Sequence, residues 1–294
     1  MAKAKKIKSP TQLELVEPTF TALVELGGSA NIDEIRDKVI EMLKLPDDIV
    51  DEPHNGNASQ QTELEYQLAW ARTRLKNYGA ITNSMRGVWK ITTEFSDKTF
   101  VSREEVTEHI KKTKLKGKTN AEAEKIINDN DPSNDSDDIP EELEPWRIEL
   151  ADTLHNMNPY AFERLSMLLL RECGFSQVRV TKKSGDGGID GTGKWKVNGI
   201  FSFNVAFQCK RFTGSVSASD IRDFRGSLTT DIEKGIFITT GTFTKAAREE
   251  ASNAGKREID LIDGEEFINK LIEYRLGVEE KTIYEVNKEF FEKV

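Results

Sequence analysis

Gly185-Asp186-Gly187-Gly188-Ile189-Asp190-Gly191, followed by Phe203-Asn204-Val205-Ala206-Phe207-Gln208-Cys209-Lys210, is where the architecture of this chain is most legible. Just upstream, Gln177-Val178-Arg179-Val180-Thr181 alternates polar with mostly apolar residues and predicts a strand. The chain then passes through Lys182 and Lys183 into the glycines, where it can turn sharply and bring bare backbone close to a ligand. Residues 203–210 predict the next strand. Side chains alternate along a strand, so Phe203, Val205 and Phe207 share a packing face while Gln208 and Lys210 share the other, a chemical face. Asp190 on the loop then faces Gln208 and Lys210. Mg²⁺ favours hard oxygen ligands and is usually held by one or two carboxylates plus a substrate phosphate. Asp190 is the expected carboxylate ligand, with the Gln208 amide oxygen and the Cys209 main-chain carbonyl as neutral ones. Lys210 would orient or deprotonate a water, or neutralise charge on a phosphate. A solvated turn acid and an edge-strand lysine are the plainer alternative for either residue alone. Their combination with the glycines favours the chemical reading.

At 294 residues the chain is long enough for about two domains, each with its own core. The net charge of -9 is concentrated: residues 121–144 hold ten acids against Lys125, leaving 41 acids and 41 bases elsewhere. Outside that segment the chain is not repelled by phosphate. Cys173 and Cys209 form no metal-binding pattern, and His54, His109 and His155 have no paired spacing, which argues against a disulfide scaffold and against zinc chemistry. No run of 18 apolar residues occurs and the N-terminus lacks an apolar signal core, so a soluble, cytoplasmic protein without membrane contact is expected.

In the first hundred residues, Leu13, Val16, Phe20 and Leu23 recur at helical spacing, and Pro18 places the expected helix start at itself. Ile32, Ile35, Val39, Met42 and Leu43 predict a second helix, and Leu64, Leu68, Ala71 and Leu75 a third ending at Tyr78-Gly79. Ala80-Ile81-Thr82 and Val88-Trp89-Lys90-Ile91-Thr92 bracket a turn as two strands. Three helices and a hairpin describe a winged helix, whose third helix can enter the DNA major groove. Arg72, Arg74 and Lys76 on that helix, with Arg86 at the wing tip, are the expected DNA contacts. Winged helices also bind proteins. Trp70 and Trp89 are read as packing residues ahead of base-stacking platforms.

Ser102 to Lys118 predicts another helix with five lysines crowded at its end, consistent either with helix-dipole complementation or with a phosphate-binding stripe. Residues 119–145 are acidic, lack aromatic residues, and predict a flexible linker. Beyond them, a helix opens at Asn158-Pro159 with Phe162, Leu165, Leu168 and Leu169 as its stripe. Ser217 and Asp220 cap a helix, Gly235 to Thr240 is a buried strand, and Thr244 to Asn253 is a helix. Glu258 to Ile262 is a strand, and Asp263 with Glu266 caps the last helix. The alternation implies a mixed sheet flanked by helices, an α/β (α+β) arrangement.

Four ordered segments carry a resemblance: Lys183 to Gly191, Gln208-Cys209-Lys210-Arg211, Gly235 to Thr244, and Leu261-Ile262-Asp263-Gly264-Glu265. Together they resemble the Mrr-type restriction endonuclease domain of the PD-(D/E)xK nuclease superfamily, over roughly residues 145–280. Trp70 to Lys76 and Arg86 to Thr92 are similar to the winged domain that precedes it in full-length Mrr proteins. The resemblance implies Mg²⁺- (or Mn²⁺-) dependent hydrolysis of duplex DNA, in the restriction of foreign or methylated DNA. It implies Asp190 as the metal-binding aspartate, Gln208 at the position usually held by Glu or Asp, and Lys210 as the catalytic lysine. Glutamine leaves one charge fewer on the metal. Glu163 matches the acid of the family's first helix, and either supplies that charge or is a surface acid. Lys182, Lys183 and Arg211 are further expected DNA contacts. The expected organisation is a winged helix over residues 1–100, a basic helix and acidic linker over 101–145, and a catalytic domain over 146–294. Double-strand cleavage calls for a homodimer or higher oligomer. A DNA-binding regulator with a degenerate nuclease domain is the alternative, which the complete Asp190, Gln208 and Lys210 set disfavours.

Overall fold

A computed structural model describes residues 8–54, 61–85, 87–115, 140, 143–180, 188–197, 200–281 and 286. Arg86, Lys182, Lys183 and most of the acidic linker therefore lie outside the described residues.

The N-terminal part runs α1 (Gln12–Glu25), β1 (Ser29–Asn31), α2 (Ile32–Leu43), α3 (Asp47–Val50), α4 (Glu63–Asn77), β2 (Ile81–Met85) and β3 (Val88–Ile91). The three strands form one sheet in the order β1-β3-β2. That order of helices and strands is a winged helix. Leu15, Val16, Phe20, Leu23, Ile35, Val39, Leu64, Leu68, Leu75 and Trp89 build its core, each large apolar side chain contributing about 1.5–3 kcal/mol by leaving water. Pro18 does not start α1. The helix begins six residues earlier, where Thr11 and Glu14 close a reciprocal capping box. Its first turn carries Leu15 and Val16 into the core, which offsets the hydrogen bond that Pro18 removes. β1 was not expected, because three residues are too few to show a period.

Among the described residues, α5 (Arg103–Leu115) is followed by α6 (Pro145–Asn156) and α7 (Pro159–Glu172). Strands β4 (Phe175–Val180), β5 (Gly191–Val197), β6 (Phe201–Lys210), β8 (Lys234–Thr239) and β10 (Ile259–Ile262) form a five-stranded sheet in the order β10-β8-β6-β5-β4. β10, β8 and β6 are parallel, while β6, β5 and β4 form an antiparallel meander. Helices α8 (Ala218–Ser227), α9 (Lys245–Ala251) and α10 (Gly264–Glu273) complete this part, with a short parallel pair of β7 (Ser215–Val216) and β9 (Thr242–Phe243). The mixed sheet flanked by helices is as expected, with one strand more. β5 escaped notice because Gly191 and Gly193 weaken a strand pattern. They are there for contact: β4 and β6 crowd them too closely for a side chain at Gly191.

Both faces of the sheet are covered. Phe162, Leu169, Val205, Phe207, Ile238 and Phe267 pack on one face, and Ala206, Ile221, Phe224, Phe237, Phe243 and Ile259 on the other. The division of β6 into a packing face and a chemical face therefore holds only at its C-terminal end, where Gln208 and Lys210 are half-buried. Below them, Ala206 is as buried as its opposite-facing neighbours. Arg147 of α6, itself buried, donates to Glu265 at 2.6 Å and to Asn269 at 2.7 Å, tying α6 to α10.

The two parts meet through polar groups. Lys245 donates through Nζ to Asp47 at 2.8 Å and through its main-chain N–H to Asp51 at 3.1 Å. Beside this contact, desolvation together with the carboxylates of Asp263 and Asp33 raises Glu266, although its side chain is exposed, to about 7, against the pull of Lys270 and Arg248. Its folded pKa lies above the ordinary 4.5, so ionised Glu266 is the disfavoured form. The burden is absent below the unfolded value, grows as pH rises between the two, and is complete above about 7. Glu266→Gln should raise Tm at pH 8, by about a few degrees because water still reaches this side chain. Thermal melts should show that gain shrinking towards pH 5; a pH-independent gain would contradict this account.

Candidate active site

The site is built where β5 begins and β6 ends. Asp190 immediately precedes β5, and its main-chain N–H donates to the Phe207 carbonyl at 3.0 Å, which continues the β5–β6 ladder. Its side chain then reaches along the neighbouring strand. The Cys209 main-chain N–H donates to Asp190 Oδ2 at 2.6 Å, a short charge-assisted bond. A strand residue presents its N–H and C=O to the same edge, so the Cys209 carbonyl opens towards the edge that Asp190 occupies.

Gln208 lies against the loop. Gly188, at φ +94°, has no side chain, and a Cβ there would lie 2.8 Å from Gln208 Nε2. The amide occupies the space a side chain would take, which is a specific reason for glycine at this position. Lys210 reaches the start of α8. Its Nζ donates to Asp220 Oδ1 at 2.7 Å and lies 4.8 Å from the centre of the Phe212 ring.

Glu163, on the second turn of α7, is half-buried. Burial pushes the Cys209 thiol up, and the charges of Asp190 and Glu163 push it in the same direction. Both carboxylates thus act electrostatically on one residue of β6. The available donors are two carboxylates, an amide oxygen and a main-chain carbonyl, all hard oxygens. Among the described residues no three His, Cys, Asp or Glu side chains gather as a metal cage. This donor set fits an ion held by one or two carboxylates and completed by water and phosphate.

Asp220 was not anticipated as a neighbour of Lys210. Its sequence signal was the capping pair with Ser217, which is present, with Ser217 N–H donating to Asp220 Oδ2 at 2.9 Å. Capping identifies one carboxylate oxygen's task and is silent about the other.

The expected DNA contacts fare unevenly. Arg72 is a correction: it is 2% exposed, with its guanidinium 5.9 Å from the Trp89 ring centre. The side chain is buried against Trp89 of β3, away from the surface that a duplex could reach. Arg74 is half-buried and donates to Gln12 at 2.8 Å. Lys76 is exposed. Arg211 is half-buried and donates to the His155 carbonyl of α6.

The sequence matches the restriction endonuclease family model over residues 154–271 and the Mrr N-terminal domain over residues 13–97. It is 26% identical over 301 residues to the type IV methyl-directed restriction enzyme EcoKMrr of Escherichia coli (strain K12), covering 93% of this chain and 95% of the relative. Among solved structures, the MspJI restriction endonuclease in complex with a 27-mer oligonucleotide is 24% identical, at TM-score 0.35, over 42% of this chain and 30% of that one. The DNA modification-dependent restriction endonuclease AspBHI is 17% identical, at TM-score 0.39, over 68% and 57%. The family assignment rests on the sequence matches. Restriction endonuclease domains of this kind generally act with divalent metal ions. With both family models matched in order and a relative aligned over nearly its whole length, the chain belongs to the Mrr-type restriction endonucleases, DNA-cleaving enzymes of the type IV kind.

Proposed function

We propose that this enzyme hydrolyses phosphodiester bonds of duplex DNA with Mg²⁺ (or Mn²⁺), and that it restricts foreign DNA carrying methylated bases. The metal would be held by Asp190, Gln208 and the Cys209 carbonyl, with Glu163 as the additional carboxylate. When bound, it would supply Lewis-acid polarisation of the phosphate and a more acidic water. Lys210 contributes an ammonium group beside the phosphate, where positive charge stabilises the charge that develops as the bond breaks. The observation that supports this set is the 2.6 Å bond from Cys209 N–H to Asp190, which couples the loop acid to the strand bearing Gln208 and Lys210.

The winged helix of residues 1–100 would position the duplex and residues 146–294 would cut it, joined through the basic helix and acidic segment of 101–145. Lys76, Arg86, Lys182 and Lys183 are the proposed phosphate contacts, with Arg74 and Arg211 reaching DNA only if their present bonds are exchanged. Cutting both strands from one catalytic centre per chain favours a homodimer or higher oligomer. The near-full-length relative is methyl-directed by its name, which supports methylated DNA as the substrate here.

The deciding experiment is cleavage of matched methylated and unmethylated duplexes with Mg²⁺ or EDTA present. Cleavage should require the metal and favour the methylated duplex by about tenfold or more, the discrimination expected from 1–3 kcal/mol per specific base contact. Equal cleavage of the two would remove the methyl-directed part. Undiminished cleavage in EDTA would remove the metal.

A further inference from the structure

We infer that Asp220 is a positioning residue that holds the Lys210 ammonium in its working place, a role that rests on the assignment of Lys210 to the catalytic site above. The inference comes from how Asp220 divides its two oxygens. Oδ2 accepts from Ser217 N–H at 2.9 Å and Ser217 Oγ at 2.7 Å, which fixes the carboxylate at the start of α8. Oδ1 accepts from Lys210 Nζ at 2.7 Å. The carboxylate is thus anchored by one oxygen and presents the other.

Both ends of this link are on rigid elements. Ile221 and Phe224 bury α8 against the sheet, and Val216, just before the helix, pairs with Phe243. Lys210 closes β6, where Thr239 Oγ1 donates to its carbonyl at 2.9 Å. Only the four-carbon stem of Lys210 is left to be ordered. A lysine carries rotamer entropy of about 1.5–2 kcal/mol when immobilised. Asp220 on one side and the Phe212 ring on the other restrict it before substrate arrives. An ammonium group has three donors, so the bond to Asp220 leaves donors for a phosphate oxygen or a water. The link is about one-third exposed at each partner, where an isolated ion pair adds little to stability. Its value is therefore placed in orientation.

The test uses the full-length protein and separates cutting from binding. Single-turnover cleavage at saturating duplex gives the rate, and duplex binding in EDTA gives Kd. Asp220→Asn should slow cleavage by about 10- to 100-fold, the scale of a lost orienting contact, with Kd within about threefold. Asp220→Glu retains a carboxylate at the third helix position, where glutamate also serves a capping box, and should recover most of the rate. Ser217→Ala removes one of the two bonds that anchor Oδ2 and keeps the main-chain one; it should lower Tm and slow cleavage less than Asp220→Asn does. Two results would overturn the inference: Asp220→Asn cutting at the wild-type rate while Lys210→Ala does not, or Asp220→Glu cutting no faster than Asp220→Asn. Full activity in Lys210→Ala has a different meaning, because it removes the underlying role of Lys210.

Discussion

Replacing Asp190 or Lys210 by alanine should lower the rate of DNA cleavage by at least about three orders of magnitude, with duplex binding changed by less than about threefold. The two losses have different causes. Asp190 is held directly on β6, through the Cys209 N–H at 2.6 Å. Its removal takes away the main negative charge available to a divalent ion and leaves a main-chain donor without its acceptor. Lys210→Ala removes the ammonium group from beside the phosphate and leaves Asp220 with only its cap. Neither side chain is part of the winged helix proposed to position DNA, so binding should survive. A plasmid-nicking assay run beside a binding titration is sufficient. If both alanine variants nick at wild-type rates, the assignment of the catalytic centre fails.

Gly191→Ala should destabilise the protein by about 3 kcal/mol or more and abolish cleavage with it, because it overpacks a site with no room to give. A Cβ there would fall 2.3 Å from Phe207 Cζ and 2.5 Å from the Arg179 carbonyl oxygen. Phe207 is fully buried and Arg179 O belongs to the β4 main chain, so neither can step aside cheaply. The strand must shift, and Asp190 shifts with it. Gly193, two residues on, is the control: its nearest neighbour to a new Cβ is Val178 Cγ2 at 3.4 Å. Gly193→Ala should stay within about 1 kcal/mol of wild type. Thermal melts should separate the two by on the order of 10 °C. Equal melting of the two variants would mean that β5 is not packed as described.

These two predictions depend on parts of the fold that differ in how far the sequence revealed them. The helical stripes of the winged helix were legible because their apolar residues repeat with the helical period, and the run from Gly235 to Thr240 because a short continuous apolar run suits a strand buried on both faces. The start of α1 was misplaced because proline is a strong local signal, and the capping box of Thr11 and Glu14 upstream is as local but weaker to the eye. β5 was missed because its glycines serve close packing, a relationship with β4 and β6 that no window of neighbouring residues contains. Arg72 looked exposed by charge alone; its burial against Trp89 is a tertiary arrangement.

The candidate site divides in the same way. Asp190, Gln208 and Lys210 could be grouped because the strand period puts two of them on one face and the glycines bring the third back to it. Asp220 could not be, because ten residues and a helix start separate it from Lys210, and its capping pattern already accounted for its presence.

The way Asp190 is held also bears on how freely this site can drift. Its partner is an amide of the polypeptide itself, so the grip does not depend on the thiol that happens to follow Gln208. Any residue that fits the apolar layer between β6 and α7 offers the same hydrogen, and proline alone among the twenty withholds it. Position 209 can therefore vary among homologous chains while the acid stays where it is.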